Sequence, residues 1–160
     1  MATIHDNTYD IDVLNALIET TLDSVNGYEE AAQAARDSQF GAAFRSRAAQ
    51  RREIAGHLQE EVRRLGGTPE KDGSALAAAH RQFLEIRNAF ARGDQAVVEE
   101  VERGEDVIRE RYERALRDDR VSPSTRQLVA RFFESVRRGH DEARAMKQAG
   151  AGATQAGSNH

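Results

Sequence analysis

Between Leu14 and Ala143 the apolar residues return every three or four positions, the period of one face of an α-helix, and the pattern breaks only at short polar or glycine-containing stretches. A β-sandwich needs alternation in steps of two, so this period points to an all-α fold. The first periodic stretch, which Asp10 is placed to cap, carries Leu14, Leu17, Ile18, Thr21, Val25, Tyr28 and Ala32. After the break at Arg36-Asp37-Ser38 the period resumes with Phe40, Phe44, Ala48, Ile54, Leu58, Val62 and Leu65. It ends at Gly66-Gly67, where glycine can take the left-handed conformation that stops a helix, and Pro69 prevents resumption. Two helices of about 27 residues, each roughly 40 Å long, joined by so short a break must lie antiparallel.

A shorter amphipathic segment follows from Ser74 to about Ala91, with Leu76, His80, Phe83, Leu84, Ile86 and Phe90, and stops at Gly93. At about 18 residues it spans roughly 27 Å, enough to carry the chain back along the preceding helices. Asp94 is placed to cap a third long helix whose inner face reads Val97, Val101, Glu105, Ile108, Tyr112 and Ala115. Ser122 and Pro123 open the last helix, proline being favoured at the first helical position, with Val129, Phe132, Phe133, Val136, His140 and Ala143 inward. Four long helices with one long connection, between the second and third, form the pattern of a ferritin-like four-helix bundle with a helical crossover. If the crossover lies along the bundle, the second and third helices run parallel. The domain is expected over residues 10–147, with flexible ends at 1–9 and at 150–160, where Ala, Gly, Ser, Thr and Gln give nothing to bury.

Composition narrows the chemistry. The chain has no cysteine, which removes disulfides, thiolate zinc sites, iron–sulfur clusters and cysteine nucleophiles. No apolar run approaches the roughly 20 residues of a membrane span, and the polar start lacks a signal-peptide core, so a soluble cytoplasmic protein with no membrane partner is expected. The net charge of −4 averages contrasting helices. Arginines gather at Arg45, Arg47, Arg51, Arg52, Arg63, Arg64, Arg137 and Arg138, while the third helix carries Glu99, Glu100, Glu102, Glu105, Asp106, Glu110 and Glu113. With acids between the arginines and no aromatic platform, complementary solvated faces are expected and no nucleic-acid partner. Gly66-Gly67 follows no strand and precedes no Gly-Lys-Ser/Thr, so it is no phosphate loop.

Certain inward positions are polar. Glu105 falls between Val101 and Ile108, His140 between Val136 and Ala143, and Glu29 can turn inward between Val25 and Ala32. Glu53 and His57, four apart, share a face. A buried carboxylate needs a partner, and two answers compete. In one, Glu29, Glu53, His57, Glu105 and His140 are metal ligands for iron or manganese, with hard oxygens and intermediate nitrogens. Counting turns places them in one half of the bundle but at depths spread from roughly 10 Å to about 27 Å. The Glu-x-x-His repeat of dinuclear carboxylate sites is replaced by Glu53-x-x-x-His57. In the other, Arg47 or Arg51, inward on the second helix at similar depth, reaches a glutamate and takes the space a metal needs. His80 is expected to pack under the crossover, and His5 and His160 support no site.

The run from Leu14 to about Arg144 resembles a bacterial family of uncharacterised four-helix-bundle domains of the ferritin-like superfamily. The resemblance is carried by Leu14-Asn15-Ala16-Leu17-Ile18-Glu19, Gly27-Tyr28-Glu29, Leu65-Gly66-Gly67-Thr68-Pro69, Glu102-Arg103-Gly104-Glu105-Asp106, Tyr112-Glu113-Arg114-Ala115-Leu116 and His140-Asp141. It implies the fold, places Glu29, Glu105 and His140 at family-like positions, and implies a setting in bacterial stress. It carries no established catalytic activity. The expectation is a non-enzymatic binding or assembly protein with no cofactor, forming a homo-oligomer or meeting a protein partner through the crossover or helix ends. The alternative is a metal-dependent redox protein acting on oxygen or peroxide.

Overall fold

The computed structural model describes residues 7–74 and 77–157, apart from the side chains of 77–80, 83 and 150–157. His5, Leu76, His160 and the side chains of His80 and Phe83 lie outside the described residues. The fold is all-α, with α1 over Thr8–Ala34, α2 over Ser38–Arg64, α3 over Ala77–Ala89 followed by a 3-10 turn at Phe90–Arg92, α4 over Asp94–Arg117 and α5 over Pro123–Gly157. No strand occurs among the described residues.

The expected boundaries between α1 and α2 hold for local reasons. Asp37 accepts the Gln39 amide at 2.8 Å and caps α2. At the far end Gly66 adopts φ +91°, and the Gly67 amide bonds the Val62 carbonyl at 2.9 Å, closing the helix as a glycine stop does. The two helices pair antiparallel, Tyr28 ring near Phe44 and Ser24 near Arg51. α4 runs antiparallel to α1, because Thr21 meets Tyr112 and Tyr28 meets Glu105. α2 and α4 are therefore parallel, and their starts are adjacent: the Asp94 carboxylate accepts the Arg36 and Asp37 amides at 2.8 and 2.9 Å. α3 accomplishes that return by lying against α1 and α4. α5 pairs closely with α4, while α2 and α5 stand further apart and touch through long side chains such as Arg47 with Glu142 and His57 with Phe132.

The core has two apolar halves. One gathers Leu14, Ile18, Leu58, Ile108, Tyr112 and Val136, and the other Phe44, Ala48, Ile86, Val97, Val98 and Val101. Each fully buried branched or aromatic side chain contributes about 1.5 to 3 kcal/mol. Every inner-face residue expected on α4 is buried.

Other expectations need correction. Asp10 and Asp94 do not cap their own helices. Asp10, buried inside the first turn of α1, accepts Ser122 N at 3.0 Å, Ser122 Oγ at 2.5 Å and Thr125 Oγ1 at 2.9 Å, and so serves the start of α5. A buried carboxylate needs several donors, and the start of another helix supplies one backbone amide and two hydroxyls. Among the described side chains of α3, Ile86 and Ala89 are buried, whereas Leu84, and Phe90 of the 3-10 turn, are 38% and 46% exposed. The helix turns that way because Ile86 lies over Gly27 of α1, and the Phe90 ring is left beneath the Arg36 guanidinium at 5.2 Å. The last helix, α5, has helical backbone as far as Gly157.

Candidate functional site

A polar belt separates the two apolar halves, and its centre is an ion pair. Arg51 of α2 donates from Nη2 to Glu105 Oε2 of α4 at 2.8 Å, with both side chains at most 1% exposed. Tyr28 of α1 donates its hydroxyl to the other carboxylate oxygen at 2.6 Å, and Arg51 Nη1 donates to Ser24 Oγ at 3.1 Å. Both oxygens of Glu105 are thus held from other helices, one by α1 and one by α2. The guanidinium also stands 5.8 Å from the Tyr28 ring centre, a favourable arrangement for a cation. Burial, then the Glu105 charge, pushes the Tyr28 hydroxyl well above its ordinary range, so it stays a donor.

The belt continues on either side. Thr21 donates to the Leu17 carbonyl at 2.7 Å, so the 2.8 Å contact with Tyr112 is donated by the tyrosine, whose ionisation burial pushes up to about 12. On α5, Gly139 lies directly on the ion pair: a Cβ there would fall 2.3 Å from Arg51 Nη2 and 3.2 Å from Glu105 Oε2. A helix-interior glycine costs about 1 kcal/mol relative to alanine, and here it admits the guanidinium. Next to it His140 places Nε2 at 2.7 Å from Asp106 Oδ1, while its buried Nδ1 makes no hydrogen bond, the Asp141 carboxylate being 3.7 Å away. Arg47 closes the belt by pairing with Glu142 of α5.

The candidate ligands are distributed among these contacts. Glu29 pairs with Arg52 and its side chain is 44% exposed. Glu53 and His57 face each other at 3.8 Å at the surface, 75% and 49% exposed, with the imidazole stacked on Phe132. Glu105 and His140 are interior, but the first is held by Arg51 and Tyr28 and the second by Asp106. Among the described residues no group of three or more histidine and carboxylate side chains converges as a metal site would require. The second of the two competing answers, an arginine at the inward glutamate, describes Glu105. Periodicity located Arg51 and Glu105 but assigned Tyr28 to the apolar face and passed over Asp106, Glu142 and Gly139. Gly139 did carry a signal, since it is a glycine on the inner face of a helix where no turn calls for one. An open groove of about 300 Å³ between α4 and α5 is lined by Glu99, Glu102, Arg103, Asp106 and Lys147, with Lys147 paired to Glu102 at 3.2 Å.

The family described as Domain of unknown function (DUF2383) matches residues 10–118, more than half of the chain. The chain belongs to that family, and the matched stretch holds α1 to α4 with Tyr28, Arg51 and Glu105. No curated protein matches it.

Proposed function

We propose that this member of the DUF2383 family is a ferritin-like bundle that acts without catalysis, as a binding or assembly protein working through its outer faces. Support for the fold comes from the parallel α2 and α4, joined through α3, which is the path of a ferritin-like crossover. One observation carries the functional reading. At the inward glutamate of α4, where a metal-dependent relative would need an open carboxylate, Glu105 has both oxygens engaged and a guanidinium in contact. A cation placed there would meet a fixed positive charge, so the donor set does not fit iron or manganese. The outer surface supports a solvated exterior and no nucleic-acid partner. Arg52, Arg64, Arg114 and Arg137 each pair with a glutamate of this same chain. No described helix is long and apolar enough to cross a membrane. A stress setting rests on the family resemblance alone.

The experiment is metal loading. Untagged protein is given ferrous iron anaerobically, bound metal is measured, and absorbance is followed on adding oxygen. The expected result is no binding above that of the Glu29→Ala/Glu105→Ala double variant. Stoichiometric iron whose oxidation is lost in Glu105→Ala would replace this reading with a redox function. Light scattering across concentrations tests assembly, and a monomer at every concentration removes the self-assembly part.

A further inference from the structure

The chain contains one Asn-Gly pair, Asn26-Gly27, and one Asp-Gly pair, Asp72-Gly73. In such pairs the glycine amide can attack the side-chain carbonyl carbon before it, because glycine puts no Cβ in the way of the five-membered ring that forms. By sequence alone Asn26 should react first, since its carboxamide is uncharged and an ionised carboxylate is a poor electrophile. The fold reverses that order. Asn26 and Gly27 lie in the interior of α1, where the Gly27 amide belongs to the i→i−4 ladder and helical ψ turns it away from the preceding side chain. Ile86 of α3 also covers Gly27, its Cδ1 3.8 Å from where a Cβ would stand. Asp72 and Gly73 lie between α2 and α3, in no helix, and Asp72 is exposed.

The segment that carries Asp72 is fixed on both sides. Asn15 Oδ1 accepts the Glu70 amide at 2.9 Å, and Gln59 Nε2 donates to the Glu70 carbonyl at 2.8 Å. Asp23 Oδ1 accepts the Ser74 amide at 2.8 Å. Lys71, Asp72 and Gly73 span the interval. Gly73 is pressed on α1 so closely that a Cβ would fall 2.4 Å from Asp23 Oδ1 and 3.3 Å from the Asp23 nitrogen.

We propose that Asp72 is a site of spontaneous isomerisation, and that the isoaspartate formed there releases the start of the crossover from α1. The Gly73 nitrogen bonds to Cγ of the protonated Asp72 carboxyl, and its proton leaves with the carboxyl hydroxyl as water, closing a succinimide. Water then opens the ring. Breaking the bond from the Gly73 nitrogen to Cγ restores aspartate, whereas breaking its bond to the original main-chain carbonyl leaves the chain running through Cβ and Cγ. No oxidant or cofactor enters, and the mass is unchanged. The main chain is then one carbon longer, about 1.5 Å of added contour. Between the fixed Glu70 and Ser74 that length displaces Gly73 from its close seat on Asp23, and with it the Ser74 anchor that precedes α3. This inference stands apart from the proposed binding role and holds whichever way the iron experiment falls.

Ageing the folded full chain at 37 °C and pH 7 tests it. Isoaspartate is counted by methyl transfer from S-adenosylmethionine, using a purified isoaspartate-directed methyltransferase as the probe, and is located by mass-spectrometric peptide mapping. The folded chain should gather isoaspartate at 72 several-fold faster than Asn26 loses its amide, and the urea-unfolded chain should show the opposite order. Hydrogen exchange of the aged chain should show lost protection of α3 amides in proportion to the isoaspartate, with the middle of α1 and α2 unchanged. Asp72→Ser, which cannot close the ring and alters only an exposed side chain, should keep its α3 protection through the same ageing. Amide loss at Asn26 ahead of isomerisation in the folded chain, or no isoaspartate at 72, overturns the site. Full α3 protection in isomerised chains, or an equal loss in aged Asp72→Ser, overturns the release.

Discussion

Arg51 and Glu105 bind each other 2.8 Å apart across the junction of the two apolar halves, at a point where α5 has no side chain of its own. The pair therefore ties α2 to α4 while Tyr28 ties α1 to the same carboxylate. Breaking a buried pair by removing one partner leaves a charge without water or counter-charge, at a cost of about 3 to 5 kcal/mol. Arg51→Met and Glu105→Leu should each destabilise by that order in urea unfolding. The double variant should be more stable than either single one, because it leaves no stranded charge. Losses that simply add would mean that the two residues act independently.

Gly139 and Gly56 give opposite expectations for the same substitution. A methyl group at 139 would fall 2.3 Å from Arg51 Nη2, so the ion pair must shift, whereas nothing lies within 4 Å of a methyl at 56. Gly139→Ala should lose about 1 to 3 kcal/mol through overpacking despite its better helix propensity. Gly56→Ala, in the interior of α2, should gain about 0.5 to 1 kcal/mol. Thermal melts of the two variants beside the wild type decide the matter, and a stabilised Gly139→Ala would show that α5 can lift off the pair without loss.

These contacts mark what could be read from the sequence. The helices, the α1–α2 break at Asp37, the stop at Gly66 and the inward position of Glu105 follow from local period and turn chemistry, which depend on near neighbours only. Arg51 could be named as a partner because its depth in a straight helix is fixed by rise per residue. The partners of Asp10 and Asp94 could not be read in this way. Both carry the local signature of a helix cap, yet the amides they accept belong to segments 112 and 58 residues away. Which helix start lies beside which is decided by packing. The same limit hid Asp106 from His140 and turned α3 onto Ile86 and Ala89, since a short amphipathic helix with several apolar residues leaves its rotation to its neighbours.

Asp10 also offers a test of that long-range capping. Replacing it with alanine removes acceptors from Ser122 and from the buried Thr125 hydroxyl, and losing such a cap costs about 1 to 2 kcal/mol. The damage should be local to the far end of the chain. Hydrogen exchange in Asp10→Ala is expected to rise in the first turn of α5 more than in the first turn of α1. Greater fraying of α1 would return Asp10 to the role of capping its own helix.

Tyr9 and Asp118 join the start of α1 to the end of α4, and their contact makes stability depend on pH in a way that can be followed at both extremes. The Tyr9 hydroxyl, and after it the Arg120 guanidinium, holds the Asp118 carboxyl down to about 2. The unfolded chain regains the ordinary value of 3.8. The stability contributed by a lowered carboxyl is complete above the unfolded value and is lost as pH falls from there through about 2. The same hydrogen bond raises the Tyr9 hydroxyl above 10, so its contribution is complete below 10 and lost as pH climbs through the raised value. Tyr9→Phe deletes the shared bond and leaves Arg120 on Asp118. The difference in melting temperature between wild type and Tyr9→Phe should be flat from about pH 5 to pH 9, and should shrink toward pH 2 and again above pH 10. A difference that stays constant across pH 2 to 6 would mean that Tyr9 contributes by packing alone, with Arg120 sufficient to hold the carboxylate.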